Sequence, residues 1–477
     1  MPDDWGMNRA SLTLGLLVAG LMVPWAEAQD EPPAYRAANL AAVQRLDVEA
    51  REAFAGDTNV LVLSGIVADR EARRIVVQTE ACGLGSHDVA EFFVIAPHSG
   101  NDYESLTRAL ATAGDMDRAL RFIGMAPGRC VDYSRYRFWP KGERVESWFR
   151  RPGQTSAPWR AESLLMDEKL GKTLSPMGFV YVEAPQAGSL SGEPPDVHPV
   201  DADTRGSIMA NYNEAFTLFD VPRAAPQAAV YRQQTVNPDR VLEAGERLEW
   251  ILQPERRAED PRVQNLELVV DSAGGATQSL ATLQFVLHNQ TSCTYAAGLG
   301  MNDLLRQLTA LCQDGRDPFI TLRVDDHAQL GALKAFCLLL ASIETDHGIR
   351  IEPPLAGHLY FKAFIPDDAL RDRETRIMQP AELTFVERAD GRPAVSLVEI
   401  FEHWRDDDVH PELTFERHAL ATPEALRTQL TAREDGLPIL LVFAPATLEH
   451  GELIRWLSPV LASHPTVHVF TPLTRPE

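Results

Sequence analysis

Residues 91–128, EFFVIAPHSGNDYESLTRALATAGDMDRALRFIGMAPG, compress several changes of hydrophobic rhythm into one stretch. Glu91 to Ala96 is a short run of aromatic and β-branched residues bounded by Pro97, which predicts a buried strand. His98 to Asp102 is a turn cluster. Leu106, Ala109, Leu110 and Ala113 then recur at i, i+3, i+4 and i+7 and predict an amphipathic helix. Gly114 stops it and Asp115 caps the next helix, whose stripe is Met116, Ala119, Leu120 and Ile123. Gly124 stands where a left-handed C-terminal residue is wanted, and Pro127-Gly128 closes the unit.

The pattern before and after this stretch divides the chain. Ala37–Phe54 reads as a helix in a leader covering 29–56. Val60–Val67 and Arg74–Glu80 read as strands around the Asp69-Arg70-Glu71 turn and open an α+β domain over 57–225. Within it, Tyr133, Tyr136, Phe138, Trp139, Trp148 and Phe149 are interleaved with Arg135, Arg137, Lys141 and Arg144, as in an edge strand pair whose long side chains cover a core or, alternatively, a carbohydrate or anion platform. The proline- and glycine-rich run Pro185–Pro199 reads as an exposed loop. From 226 to 300, strands at Arg247–Leu252, Asn265–Asp271 and Ala281–His288 suggest a small β module.

The C-terminal third repeats. Leu305-Arg306-Gln307-Leu308-Thr309-Ala310 returns as Leu426-Arg427-Thr428-Gln429-Leu430-Thr431-Ala432, and the strand Phe319–Val324 returns as Ile439–Phe443. Helices over Gln329–Ile343 and Leu448–Leu461 follow, then short strands at Ile349–Ile351 and Val467–Phe470. Each copy, 301–365 and 421–477, is a helix followed by a right-handed β-α-β unit. Between them, 366–420 is a β insert with a hairpin turn at Asp390-Gly391. The fold class is therefore multidomain α+β.

The N-terminus adds an address. Met7-Asn8-Arg9, an apolar run from Leu12 to Trp25 and Ala26-Glu27-Ala28 read as a signal peptide over 1–28 cleaved after Ala28, with Met7 as the expected start. No later run is long enough to span a bilayer, so the mature chain is expected to have no transmembrane segment and to be periplasmic or secreted. A net charge of −23 excludes a nucleic-acid partner, which demands a basic face.

Candidate chemistry is sparse. The five cysteines, at 82, 130, 293, 312 and 337, form no C-x-x-C and so give no iron–sulfur or zinc signature. In an oxidising compartment Cys82 with Cys130, and Cys293 with Cys312, are candidate disulfides, while Cys337 reads as a buried hydrophobe. The run His403–His410 offers histidine and carboxylate ligands but matches no calcium loop or metalloprotease motif. No nucleophile elbow, phosphate loop or dinucleotide fingerprint occurs, and no catalytic, cofactor-binding or metal residue is assigned.

The order Glu-Phe-Phe-Val (91–94), Tyr-Glu-Ser-Leu (103–106), Arg-Ala-Leu (118–120) and Gly-Met-Ala-Pro-Gly (124–128) resembles the YdjY-like family over about 60–222. Ser207-Ile208-Met209 and Phe219-Asp220-Val221-Pro222 continue the resemblance. It implies a bacterial envelope protein of unknown function, some members being labelled ferredoxin-like. Tyr103 stands where the family often has histidine, which leaves Tyr103, Glu104 and Ser105 as the binding candidates. The two C-terminal repeats are faintly similar to the periplasmic domain of ExbD/TolR-like transport proteins. The reading that follows is an exported envelope protein with a non-enzymatic binding or scaffolding role, its partner another envelope protein or a cell-wall component. The alternatives are a periplasmic enzyme or redox or metal-binding component centred on 91–128, and an accessory to an envelope transport complex.

Overall fold

The computed structural model describes residues 33–132, 138–183, 206–255, 263–272, 280–289, 294–313, 317–347, 349–352, 363–364, 380–388, 393–403, 412–431, 439–464 and 466–472. The Ala28 cleavage site, the 185–199 loop, Tyr133, Tyr136, Cys293, the Asp390-Gly391 turn and most of the 403–410 run lie outside them.

The first domain contains α1 (Ala34–Ala53), β1 (Val60–Leu63), β2 (Ile66–Asp69), β3 (Arg74–Ala81), β4 (Phe92–Ile95), β5 (Ser105–Ala109) and α2 (Ala113–Phe122). It continues with β6 (Arg144–Arg150), β7 (Trp159–Arg160), β8 (Leu165–Asp167), β9 (Lys172–Thr173), β10 (Phe179–Tyr181), β11 (Ser207–Ala210) and β12 (Phe219–Asp220). Its last elements are α3 (Gln227–Val230), β13 (Gln234–Val236) and β14 (Arg247–Pro254). Hydrogen-bonded neighbours run β3-β14-β6-β10-β12-β11-β4-β5, and β5 pairs back onto β3, so eight strands close into a ring. A barrel of that size either is filled by side chains or holds one small ligand, and here large aromatic side chains pack together. Phe93 packs on Phe179, Phe149 stacks on Trp250, and Phe219 meets both Trp250 and Tyr181. The buried Trp250 indole donates to Ser147 Oγ at 2.8 Å, satisfying its polar edge.

Closure of the ring corrects two expectations. Residues 105–109 are a fully buried strand, not the start of a helix. The apolar spacing of Leu106, Ala109 and Leu110 fits either structure over so short a run, and the gap between β4 and β3 decides for the strand. Likewise β14 lies between β3 and β6 inside the barrel, not in a separate module, so this domain reaches Glu255. The second helix is α2 as expected, with Met116, Ala119 and Leu120 buried and Gly124 at φ +82°. Its cap is Thr112, whose side chain accepts from the Asp115 N–H at 3.1 Å; Asp115 sits in the first turn. Arg70 and Arg73 donate to the terminal carbonyls of Phe122 and Ile123, where a cation suits the helix dipole.

Helix α1 is held to the barrel by polar groups. Glu80, buried in β3, accepts from Arg36 at 2.8 Å and from Asn39 at 2.9 Å. Asp47 accepts from the Gly65 N–H in the β1–β2 turn.

The C-terminal part is a duplication larger than the repeated letters suggest. The first copy is β15 (Val263–Asp271), β16 (Gln284–Asn289), β17 (Thr294–Leu299), α4 (Met301–Gln313), β18 (Asp317–Val324), α5 (Leu330–His347) and β19 (Arg350–Glu352). The second is β20 (Ala381–Val386), β21 (Ala394–His403), β22 (Glu412–Leu420), α6 (Pro423–Thr431), β23 (Ile439–Phe443), α7 (His450–Leu457) and β24 (Thr466–Phe470). The sheet orders are β17-β16-β15-β18-β19 and β22-β21-β20-β23-β24, the same plan twice. What remains of the expected small β module after β14 joins the barrel, and the expected β insert, are thus the leading three strands of each copy. A strand pattern alone does not say which later strand it joins.

The copies meet across an approximate two-fold axis. Leu330 N–H donates to Leu448 O at 2.9 Å, and His450 N–H to Ala328 O at 2.8 Å. Gly331 N–H donates to Ala446 O at 2.9 Å, and Gly451 N–H to Asp326 O at 2.7 Å. In both sets, matched positions differ by about 120 residues, the reciprocity of an isologous contact. A Cβ at Gly451 would lie 2.6 Å from Asp326 Cβ, so this approach requires glycine. One hydrophobic core spans both copies.

The barrel docks on the duplicated pair. Phe138 and Trp139 are buried with Ile439, Leu441 and Phe470, and their rings meet His468 at 5.1 and 5.6 Å. Arg144 reaches Glu344 of the first copy at 3.1 Å, and Arg129 donates to Thr466 of the second at 3.2 Å. Phe138, Trp139 and Phe149 of the aromatic run are therefore interior, Trp148 is half-buried beneath the Arg160 guanidinium, and β6 is a central barrel strand, not an edge.

Candidate functional site

Tyr103 and Glu104 belong to a single 3-10 turn, Asp102–Glu104, between β4 and β5. That turn is held from below. Asp102 accepts from the buried Arg108, which also donates to Pro97 O. The Cys82 thiol donates to Asp102 at 3.6 Å. Burial, with Asp102 next, pushes this thiol up to about 12, so it stays protonated and serves the turn as a donor.

The three predicted residues separate in role. Tyr103 is 72% exposed, and the neighbouring Glu104 carboxylate raises its phenol above the ordinary value. Ser105 is buried and its hydroxyl donates to Asn101 O, so it fastens the turn and presents no nucleophile. Glu104 N–H and C=O lie along the start of the parallel pair β4–β5, where Glu91 N–H donates to Glu104 O at 2.8 Å.

Residues from distant segments complete the surface. Glu91, buried at the start of β4, accepts from Gln227 Nε2 of α3 at 2.7 Å. Tyr212 donates to Glu214 at 3.0 Å. Tyr231, exposed beyond α3, is near enough to Tyr103 to act on its ionisation. Behind them, Asp220 accepts from Asn213 at 3.1 Å and from the Val221 N–H at 2.7 Å. Glu91, Tyr212 and Gln227 had one sequence signal between them: a charged residue directly ahead of the apolar run Phe92–Ile95.

The electrostatics are those of crowded acids. Burial, then Glu91, raises Glu104 above the usual carboxylate range. Burial also raises Tyr212, with Glu214, Glu91 and Glu104 adding to it. Asp220 is held well above its ordinary value by burial despite its hydrogen bonds. The charged neighbours that act on Glu104 and Tyr212 are all acids. Such a surface, with phenol rings beside carboxylates, accepts hydroxyl or ammonium donors and stacks on flat apolar faces.

Among the described residues no group of three or more histidine, cysteine, aspartate or glutamate side chains is arranged to hold a metal ion. Cys82 and Cys130 are not bonded to each other, which corrects the first candidate disulfide. Cys82 is committed to the Asp102 turn, whereas Cys130 packs with Val180 and Val182. Cys337 is a buried free thiol on α5; Cys312 lies in α4, and its pairing with Cys293 lies outside the described side chains. No described helix is long and apolar enough to cross a membrane. No protein-family model matches this chain, and no curated protein matches it.

Proposed function

We propose that this chain is an exported envelope protein, periplasmic or secreted, that binds another envelope protein or a cell-wall component without transforming it. The observation that carries this reading is the exposed Tyr103 ring set beside Glu104 and Glu91 on the rim of a filled barrel. A packed interior leaves recognition to the rim, and aromatic rings beside carboxylates suit sugar hydroxyls or amines. The barrel and the paired repeats are joined by a buried aromatic cluster, which supports a scaffold of fixed geometry. The resemblances to YdjY-like proteins and to ExbD/TolR-like periplasmic domains point to the same compartment, and the second adds a role beside a transport complex.

Pull-down from an envelope extract, with Tyr103→Ala as control, tests the proposal. Recovery of a partner that the variant loses is expected. Turnover of a small substrate by the pure protein, with no partner recovered, overturns it. The second reading, an enzyme centred on 91–128, is favoured by one observation: Glu104 is raised beside the buried Glu91, the setting of an acid–base pair.

A further inference from the structure

The two copies treat one matched face differently. In the first, the connection from β15 to β16 runs through residues 272–283, and its 3-10 turn Leu280–Thr282 lies on α5. Leu283 is buried and Leu280 packs on the shared core, so the chain covers this face with its own segment. In the second copy the matched connection, 387–393, is shorter. A cleft of about 980 Å³ lies over α7, bordered by Glu387, Pro393, Leu448, Glu449, Glu452 and Trp456.

The cleft stands beyond the carboxyl ends of the parallel strands β20 and β23, where open α/β sheets take ligands. Its chemistry has also diverged. The two-fold offset sets Gln329 against Glu449, Ala332 against Glu452 and Ala335 against Arg455, a neutral face against a charged one. Carboxylates outnumber guanidiniums there three to two, and Arg455 is already held by Glu452 at 2.9 Å. Glu387 accepts from Thr447 at 3.4 Å, and Glu449 meets His327 of the first copy at 3.3 Å.

We propose that this cleft receives an extended segment of a partner polypeptide, laid across α7 as residues 280–283 lie across α5. Apolar side chains of the segment face Leu420, Ala421 and Pro445, above the buried Leu448 and Trp456, and basic residues at its ends face Glu387 and Glu449. The proposal rests on the binding role above and gives it a second contact surface.

The probe is a labelled peptide, Lys-Leu-Ala-Thr-Leu-Lys, which places the residues of 280–283 between lysines; the control carries glutamate at both ends. Fluorescence anisotropy on the whole mature chain reads binding. The lysine peptide is expected to bind with Kd below about 1 mM, and the glutamate peptide about fivefold more weakly, the scale of exposed ion pairs. Glu387→Gln with Glu449→Gln removes the preference. Ala421→Trp, which fills the cleft and deletes no contact, abolishes binding of the lysine peptide. Equal affinity for both peptides, no binding at about 1 mM, or unchanged binding in Ala421→Trp overturns the proposal. If Ala421→Trp still recovers the envelope partner while Tyr103→Ala does not, the cleft alone has failed and the barrel-rim reading stands.

Discussion

Helix α5 of the first repeat runs from Leu330 to His347 with Phe336, Cys337 and Leu340 buried, whereas α7 of the second covers only His450–Leu457. The first is roofed by its own 3-10 turn; the second carries Glu452 and Arg455 toward an open cleft. Both use the same backbone contacts at the axis. The seam is shared by the two copies, while the outer faces of their helices differ. Among the described residues, α5 of the first copy is covered by Leu280–Thr282, while the second copy holds Phe138 and Trp139 of the barrel on one side and borders a cleft over α7 on another.

The largest effect is expected at the axis between the copies. Gly451→Val drives a side chain into Asp326 and is expected to cost roughly 4 kcal/mol, read as the denaturant midpoint of the repeat transition. If the axis is a true two-fold, Gly331→Val costs a similar amount; a neutral result at Gly331 limits the symmetry to one side. Next in size, Trp139→Ala empties the barrel contact and should cost about 3 kcal/mol. Hydrogen exchange should rise in β24, the second copy's strand, and leave β19 unchanged.

A smaller effect sharpens the contrast between roofed and open faces. Leu283→Ala should destabilise by about 2 kcal/mol, because a buried side chain leaves a cavity in the shared core. Pro393→Ala at the matched position of the open copy should change stability by less than about 0.5 kcal/mol.

The smallest prediction concerns the barrel rim. Glu104 binds its proton more tightly folded than unfolded, because its folded value is raised. Stability therefore falls as pH climbs from the ordinary carboxylate value through the raised one, and is unaffected by this group at lower pH. Asp220 acts in the same direction. Glu104→Gln should reduce this slope without abolishing it, measured as denaturant midpoints across a pH series.

Much of this architecture was legible as rhythm. The Met116–Ile123 stripe, the Phe92–Ile95 strand and the helix–strand–helix–strand order of both repeats stand where the apolar spacing put them. What escaped was partnership. Residues 105–109 became a strand because β3 and β4 left a slot for it, and β14 joined a barrel whose other members lie far away in sequence. The leading strands of the repeats share alternation but few letters, so the duplication showed only in its helical half. At the barrel rim, Tyr103 and Glu104 were adjacent and visible, while Tyr212 and Gln227 arrive only when the ring closes.

That ring has a cost in time. Strand β3 ends at Ala81 and its barrel neighbour β14 begins at Arg247, so the cylinder stays a curled sheet with bare edges until most of the first domain is available. Pairings between strands so distant in sequence form slowly, and unpaired edges invite association with other chains while they wait. A molecule of this design depends on being kept apart from its copies during that interval, most of all at high expression or when it refolds from denaturant.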